Sequence, residues 1–177
     1  METIKKSHTV LWGVFLITLI LSGLFVLGCK EVKTQDDIVK MLGKELQIGE
    51  NSDTSISFVA EYEIGENSLL WFSVQSQHMT NYRVVECNKI ANGKYQVKKT
   101  HKPMTYAQDI VHIVFDAEDI FLINNFSCQA IVYRNKSGDV ISQTNILPNE
   151  LPYIFILKPL GNESICDFLD ERGNSIR

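Results

Sequence analysis

The side chains best suited to acid–base or metal chemistry are three histidines and two groups of carboxylates. His78, His101 and His112 are separated by 23 and 11 residues, so neither H-x-H nor H-x-x-x-H occurs among them. The acidic groups are Asp116, Glu118 and Asp119 and, further on, Asp167, Asp170 and Glu171. Neither group has the spaced oxygen ligands of a calcium-binding loop. We therefore predict no metal site and no cofactor, and catalysis would require these residues to converge in the folded chain.

The cysteines offer a second kind of chemistry, a disulfide bond. Cys128 is expected to share a strand face with Ala130 and Val132. Cys166 is expected to share one with Phe168, so both sulfurs would face a core. A bond between Cys128 and Cys166 would close a loop and stabilise the fold by a few kcal/mol. The alternative is two buried free thiols, which pack as small apolar side chains. No C-x-x-C pair occurs, so a redox motif or zinc ribbon is not indicated.

Aromatic side chains in the middle of the chain suggest a binding surface. The aromatic residues concerned are Trp71, Phe72, Tyr82, Tyr95 and Tyr106. Because Trp71 and Phe72 are adjacent, they point to opposite faces of a strand, and one of them would be exposed. Trp71, Phe72 and Tyr82 are the candidates for an exposed aromatic surface. Packing of the same rings in the core is the interpretation that we favour.

Composition and missing motifs exclude several classes of function. The formal net charge is −4 over 177 residues, and no basic surface of the kind that binds nucleic acid is indicated. The chain also lacks G-x-S-x-G, S-x-x-K, a phosphate-binding glycine loop and a dinucleotide fingerprint. Neither a nucleic acid nor a nucleotide is therefore expected as a partner.

The N-terminal part of the chain predicts attachment to a membrane. Residues 9–28 form an uncharged, mostly apolar run that follows Lys5 and Lys6. A helix of this length extends about 30 Å, which matches the hydrocarbon core of a bilayer. The preceding lysines favour a cytoplasmic position for residues 1–8. We therefore expect the lipid bilayer as a partner and the chain after residue 29 outside the cytoplasm.

The end of the apolar run allows two kinds of anchor. Val26, Leu27, Gly28 and Cys29 resemble the lipobox of bacterial lipoproteins. This resemblance implies cleavage before Cys29, lipidation of that cysteine and loss of residues 1–28. A leucine directly before the glycine and the length of the run depart from the family pattern and favour an uncleaved signal-anchor helix. The overall layout resembles that of small membrane-tethered envelope proteins of Gram-positive bacteria that have no assigned activity.

Residues 29–53 are predicted to be a linker that contains one short amphipathic helix, over about residues 34–47. Thr34 is a suitable N-cap. Asp37 follows three residues later, where its carboxylate interacts favourably with the positive end of the helix dipole. Apolar residues recur at helical spacing as Ile38, Met41, Leu42 and Leu46. We expect this stripe to pack on the following domain, and binding of a partner protein is the alternative.

Residues 54–177 have the periodicity of strands and turns. The first strand is predicted from the alternation of Ile56, Phe58, Ala60 and Tyr62 with more polar residues. Asn92 and Gly93 favour a two-residue hairpin loop, and residues 135–139 and 173–174 favour further turns. Short runs rich in Ile, Val and Phe lie between them as DIVHIVF, DIFLINN and YIFILK. The prediction is a mainly β fold, an antiparallel sandwich, barrel or stacked-sheet domain of about eight to ten short strands.

These features favour a non-catalytic binding or accessory protein at the cell membrane, either single-pass or lipid-anchored, with a β-rich domain outside the cytoplasm. The expected partner is another envelope protein or a component of the cell wall. The alternative is an envelope hydrolase or metal-dependent enzyme, in which the histidines and acidic groups meet in one cleft.

Overall fold

Strands dominate the computed structural model, which describes residues 31–49, 51–77, 79–158 and 165–176. Within these ranges the strands are β1 (Val32–Lys33), β2 (Ser55–Ile64), β3 (Asn67–Gln75), β4 (Thr80–Ile90), β5 (Lys94–His101), β6 (Met104–Ala107), β7 (Ile110–Phe115), β8 (Glu118–Ile123), β9 (Ala130–Arg134), β10 (Val140–Asn145), β11 (Tyr153–Leu157) and β12 (Ile165–Leu169). The described residues also contain one α-helix, α1 (Gln35–Glu45), and one 3₁₀ turn, Pro148–Glu150. The predicted mainly β fold is confirmed, with more strands than expected.

The strands form three antiparallel sheets. Sheet A has the order β1-β5-β4-β3-β2, sheet B the order β11-β8-β7-β6, and sheet C the order β10-β9-β12. Most sequence neighbours pair directly, as tight turns allow in antiparallel sheets. The exceptions bring distant segments together, because β1 pairs with β5, β11 pairs with β8 and β12 pairs with β9.

Sheet B lies between the other two sheets, so both of its faces are covered. Ile120 of β8 packs in a cluster with Trp71 of sheet A. Phe121, the next residue, packs in a second cluster with Phe168 of sheet C. A strand that is buried on both faces needs a continuous apolar run rather than strict alternation, which explains the sequence DIFLI. Of the predicted β architectures, the stacked-sheet form matches this arrangement.

Helix α1 covers the outer face of sheet A. Ile38 and Leu42 are fully buried in a cluster with Phe72. Thr34 caps the helix, since its hydroxyl accepts from the Asp37 backbone N–H at 3.2 Å and the Asp37 carboxylate accepts from the Thr34 N–H at 3.0 Å. These hydrogen bonds lower the pKa of Asp37. The predicted helix is confirmed, and its apolar stripe packs against the sheet.

Two local features differ from the sequence prediction. A bulge between Phe58 and Ala60 changes the face of strand β2, so Ile56 packs toward the helix whereas Tyr62 packs toward sheet B. The β4–β5 turn does contain Asn92 with a positive φ of 64°. Its loop has three residues rather than two, because Ile90 pairs with Lys94.

Among the described residues, no helix is long and apolar enough to cross a membrane. The predicted membrane segment, residues 9–28, and the lipidation candidate Cys29 lie outside the described residues.

Candidate functional site

Two of the three candidate histidines line one shallow groove. His101 Nε2 lies 3.1 Å from Glu86 Oε2, and His112 Nε2 lies 2.6 Å from Asp119 Oδ1. Both rings line a hollow of about 320 Å³ beside Met104, which we call the histidine groove. His78 lies outside the described residues.

Three other members of the acidic groups, Glu118, Asp167 and Asp170, have partners elsewhere in the fold. Glu118 lies 3.5 Å from the Lys158 ammonium, and Asp167 accepts from Arg134 Nε at 3.2 Å. Asp170 accepts backbone N–H groups of the turn that follows it, which lowers its pKa. The described residues contain no group of three or more side chains placed to hold a metal ion.

The two candidate disulfide cysteines lie in one apolar cluster but are not bonded. Cys128 and Cys166 are both buried free thiols between sheets B and C. Burial raises the pKa of Cys128 to about 11 and that of Cys166 to about 12. Both thiols therefore stay protonated at neutral pH and are poor nucleophiles.

The candidate exposed aromatic surface at Trp71, Phe72 and Tyr82 is wrong, and the favoured interpretation, packing of these rings in the core, is confirmed. Trp71 and Phe72 do point to opposite faces of strand β3, but sheet B covers Trp71 and helix α1 covers Phe72, so both are fully buried. The ring of Tyr82 is also buried, at 4% exposure. Both faces of sheet A are covered because segments distant in sequence pack on them. The periodicity of a single strand does not reveal such contacts.

The Tyr82 hydroxyl nevertheless reaches a surface hollow, since Tyr82 lines it. We call this site the amide cleft; it consists of two adjoining hollows of about 600 Å³ and 380 Å³ that share Gln75, Thr80, Tyr82, Gln108 and Asp109. Its other described lining residues are Ser76, Gln77, Met79, Asn81, Thr105, Val111, Asn124, Asn125, Phe126 and Ser127. Volumes in this range are typical of small-molecule sites.

Hydrogen bonds from three segments hold the amide cleft together. Tyr82 donates to Asp109 Oδ1 at 2.7 Å and accepts from Asn124 Nδ2 at 3.3 Å. The Asn124 backbone N–H donates to the Asp109 carbonyl at 2.8 Å. Asn125 Nδ2 donates to the Gln108 carbonyl at 2.7 Å. The β6–β7 turn is thus fixed to strand β4 and to the segment after β8.

Burial keeps the Tyr82 hydroxyl protonated, so it can act as a hydrogen-bond donor. Desolvation raises the pKa of Tyr82 well above its ordinary value, and the neighbouring Asp109 carboxylate adds to this effect. Asp109 itself adopts a positive φ of 55°, a conformation that Asp tolerates better than most residues. The cleft is therefore built around a protonated phenol and a carboxylate that already has a donor.

Other polar groups of the amide cleft face solvent without partners. In the described part of the chain, the side-chain amides of Gln75, Asn81 and Gln108 have no hydrogen-bond partner, and all three residues are exposed. The apolar rim residues Phe126 and Met79 are 75% and 62% exposed. The sequence prediction missed this site because its residues are spread over three segments. The only local signal is the frequency of Asn and Gln near residues 75–81, 108 and 124–125.

Comparisons with known protein families, with curated proteins and with solved structures gave no match.

Proposed function

We propose that this protein is a membrane-tethered, non-catalytic binding protein of the bacterial envelope, and that the amide cleft is its binding site. The observation that carries the proposal is a preformed cleft in which the amides of Gln75, Asn81 and Gln108 have no hydrogen-bond partner among the described residues. The buried apolar residues of the described clusters already pack against one another within the fold. The amides of the cleft, by contrast, are exposed and are free to bind a ligand.

Rigidity of the cleft supports a binding role. Hydrogen bonds hold two sides of the cleft in place in the absence of a ligand. They are the Asn124–Tyr82–Asp109 side-chain bonds and the backbone bond from Asn124 to Asp109. Pre-organised groups lose little conformational entropy on binding, so more of the interaction free energy appears as affinity.

The tether rests on the N-terminal sequence. Mass spectrometry of the protein extracted from membranes tests it and separates the two anchors. A lipid anchor predicts loss of residues 1–28 and added acyl mass on Cys29, whereas a signal-anchor helix predicts the unmodified full-length mass. Recovery of the chain mainly from the soluble fraction would contradict both.

Co-sedimentation with isolated cell walls tests the binding role. We expect the full-length protein, in detergent micelles, to sediment with walls from a Gram-positive bacterium. The double variant Asn81→Ala/Gln108→Ala should lose most of this binding because it removes two unpartnered amides. Gln143→Ala is the control away from the cleft, since it removes an exposed amide on strand β10 of sheet C that, among the described residues, donates only to Asn145 of the same strand. Equal sedimentation of both variants would exclude the amide cleft as the wall-binding site.

An envelope hydrolase is the second candidate, favoured by the histidine groove. Each imidazole there has a carboxylate partner of the kind that orients a general base. The purified full-length protein would then release dye from labelled cell walls, and His112→Gln would abolish that release. Absence of any release by the wild-type protein would reject this candidate.

A further inference from the structure

We infer that the ligand of the amide cleft is an uncharged oligosaccharide. This inference rests on the proposed function, because it assigns a chemical class of ligand to the same site. Three properties of the cleft carry it: the charge of its lining residues, the hydrogen-bonding capacity of its side chains and the apolar groups at its rim.

Charge argues against ionic ligands. The described lining residues include no Lys, Arg or His that would neutralise a phosphate or carboxylate. Asp109 is the one carboxylate among them, and it already accepts from the Tyr82 hydroxyl at 2.7 Å. The described lining thus lacks a cationic group for an anion, and its single carboxylate is engaged in the hydrogen-bonded chain of the cleft wall.

Hydrogen-bonding capacity matches sugar hydroxyls. An amide side chain carries donors and an acceptor side by side, and a sugar hydroxyl likewise donates and accepts. Gln75, Asn81 and Gln108 present such amides at the cleft, and Thr80 and Thr105 add hydroxyls. Adjacent sugar hydroxyls would satisfy both ends of each amide, whereas an apolar ligand would leave these groups desolvated and unpaired.

The rim supplies the apolar contact that a sugar also needs. One face of a pyranose ring presents C–H groups, and these pack on an aromatic ring. Phe126 lines the second hollow and is 75% exposed, so its ring is available for such a contact. Covering this ring removes apolar surface from water while the amides bind the hydroxyl edges of the sugar.

Isothermal titration of the full-length protein tests the inference. The protein is kept in a detergent without a sugar headgroup, and the probes are chitotetraose, cellotetraose and tetra-alanine. We expect saturable binding of at least one tetrasaccharide and none of tetra-alanine. Asn81→Ala/Gln108→Ala should weaken the affinity at least tenfold and Phe126→Ala about fivefold or more. Gln143→Ala should leave it unchanged, and circular dichroism of each variant checks folding.

Contrary results separate this inference from the proposed function. Failure of both tetrasaccharides to bind, or equal binding by the cleft variants, overturns the oligosaccharide assignment. Saturable binding of tetra-alanine in the cleft overturns it in favour of a peptide ligand. If the cleft variants still lose sedimentation with cell walls, the binding role stands with a different ligand; if they sediment like the wild type, both proposals fail.

Discussion

Tyr82 joins the core to the amide cleft through the two ends of one side chain. Its ring packs between sheets A and B, and its hydroxyl donates to Asp109 and accepts from Asn124. A buried tyrosine needs a partner for its hydroxyl, and here that partner belongs to the candidate site. Stability and site geometry are therefore linked at this residue.

Tyr82→Phe should destabilise the fold modestly. The change keeps the ring in the core but leaves the Asp109 carboxylate without its donor, at an expected cost of about 1–2 kcal/mol. The urea midpoint, measured on the full-length protein in detergent, reports this loss. Tyr133→Phe is a useful control, because the buried Tyr133 hydroxyl has no hydrogen-bond partner among the described residues. Equal midpoints for wild type and Tyr82→Phe would argue against the hydrogen-bonded chain.

The buried thiols predict a loss of stability in alkaline solution. The pKa of Cys166 is raised by burial from an ordinary 9.0 to about 12, so the unfolded chain releases this proton at lower pH than the folded chain. Stability linked to Cys166 is thus complete below about pH 9 and decreases as the pH rises toward 12. Cys166→Ala should flatten the fall of the urea midpoint between pH 8 and about 10.5. An unchanged slope would contradict the burial of this thiol.

At the level of elements, the contact of helix α1 with sheet A is the clearest test of the fold. Leu42 is fully buried beneath the helix, so Leu42→Ala should cost about 2–5 kcal/mol through lost burial and a cavity. Thr34→Ala should cost about 1 kcal/mol through loss of the helix cap. Lys44→Ala, on the exposed side of the helix, should change little. Similar urea midpoints for Leu42→Ala and Lys44→Ala would show that the helix does not pack on the sheet.

Interactions between residues close in sequence made the helix and strands predictable. The stacking of these elements could not be predicted in the same way. Thr34 and Asp37 mark the start of the helix because capping acts within one turn. The bulge that changes the face of strand β2 has no comparable signal in the sequence. The burial of Trp71 and Phe72 depends on two other elements covering sheet A. The amide cleft was missed for the same reason, since it exists only where three distant segments meet.

For the whole molecule, the stacked sheets form a frame on which the amide cleft is held by turns and a connecting segment. The β3–β4 turn, the β6–β7 turn and the chain after β8 all contribute to it. Sites of this kind, formed by loops on a rigid scaffold, are a common way to place a binding function. The proposed tether would hold this frame at the outer surface of the membrane.

The proposed orientation predicts which cysteines react in intact cells. Ser142→Cys places a thiol on an exposed strand, whereas Cys87, Cys128 and Cys166 are buried. A membrane-impermeant maleimide should label the Ser142→Cys protein in intact cells to a greater extent than the wild type. Labelling that requires permeabilised membranes would place the β domain in the cytoplasm.

Methionine-methyl NMR of the full-length protein tests whether the amide cleft is the binding site. Met79 lines the amide cleft, Met104 lines the histidine groove, and Met41 of helix α1 packs against the cluster between the helix and sheet A. On titration with soluble cell-wall fragments, we expect a saturable shift of the Met79 methyl resonance, while the resonances of Met41 and Met104 stay in place. A shift confined to Met104, or binding without any change at Met79, would contradict the assignment of the amide cleft as the binding site.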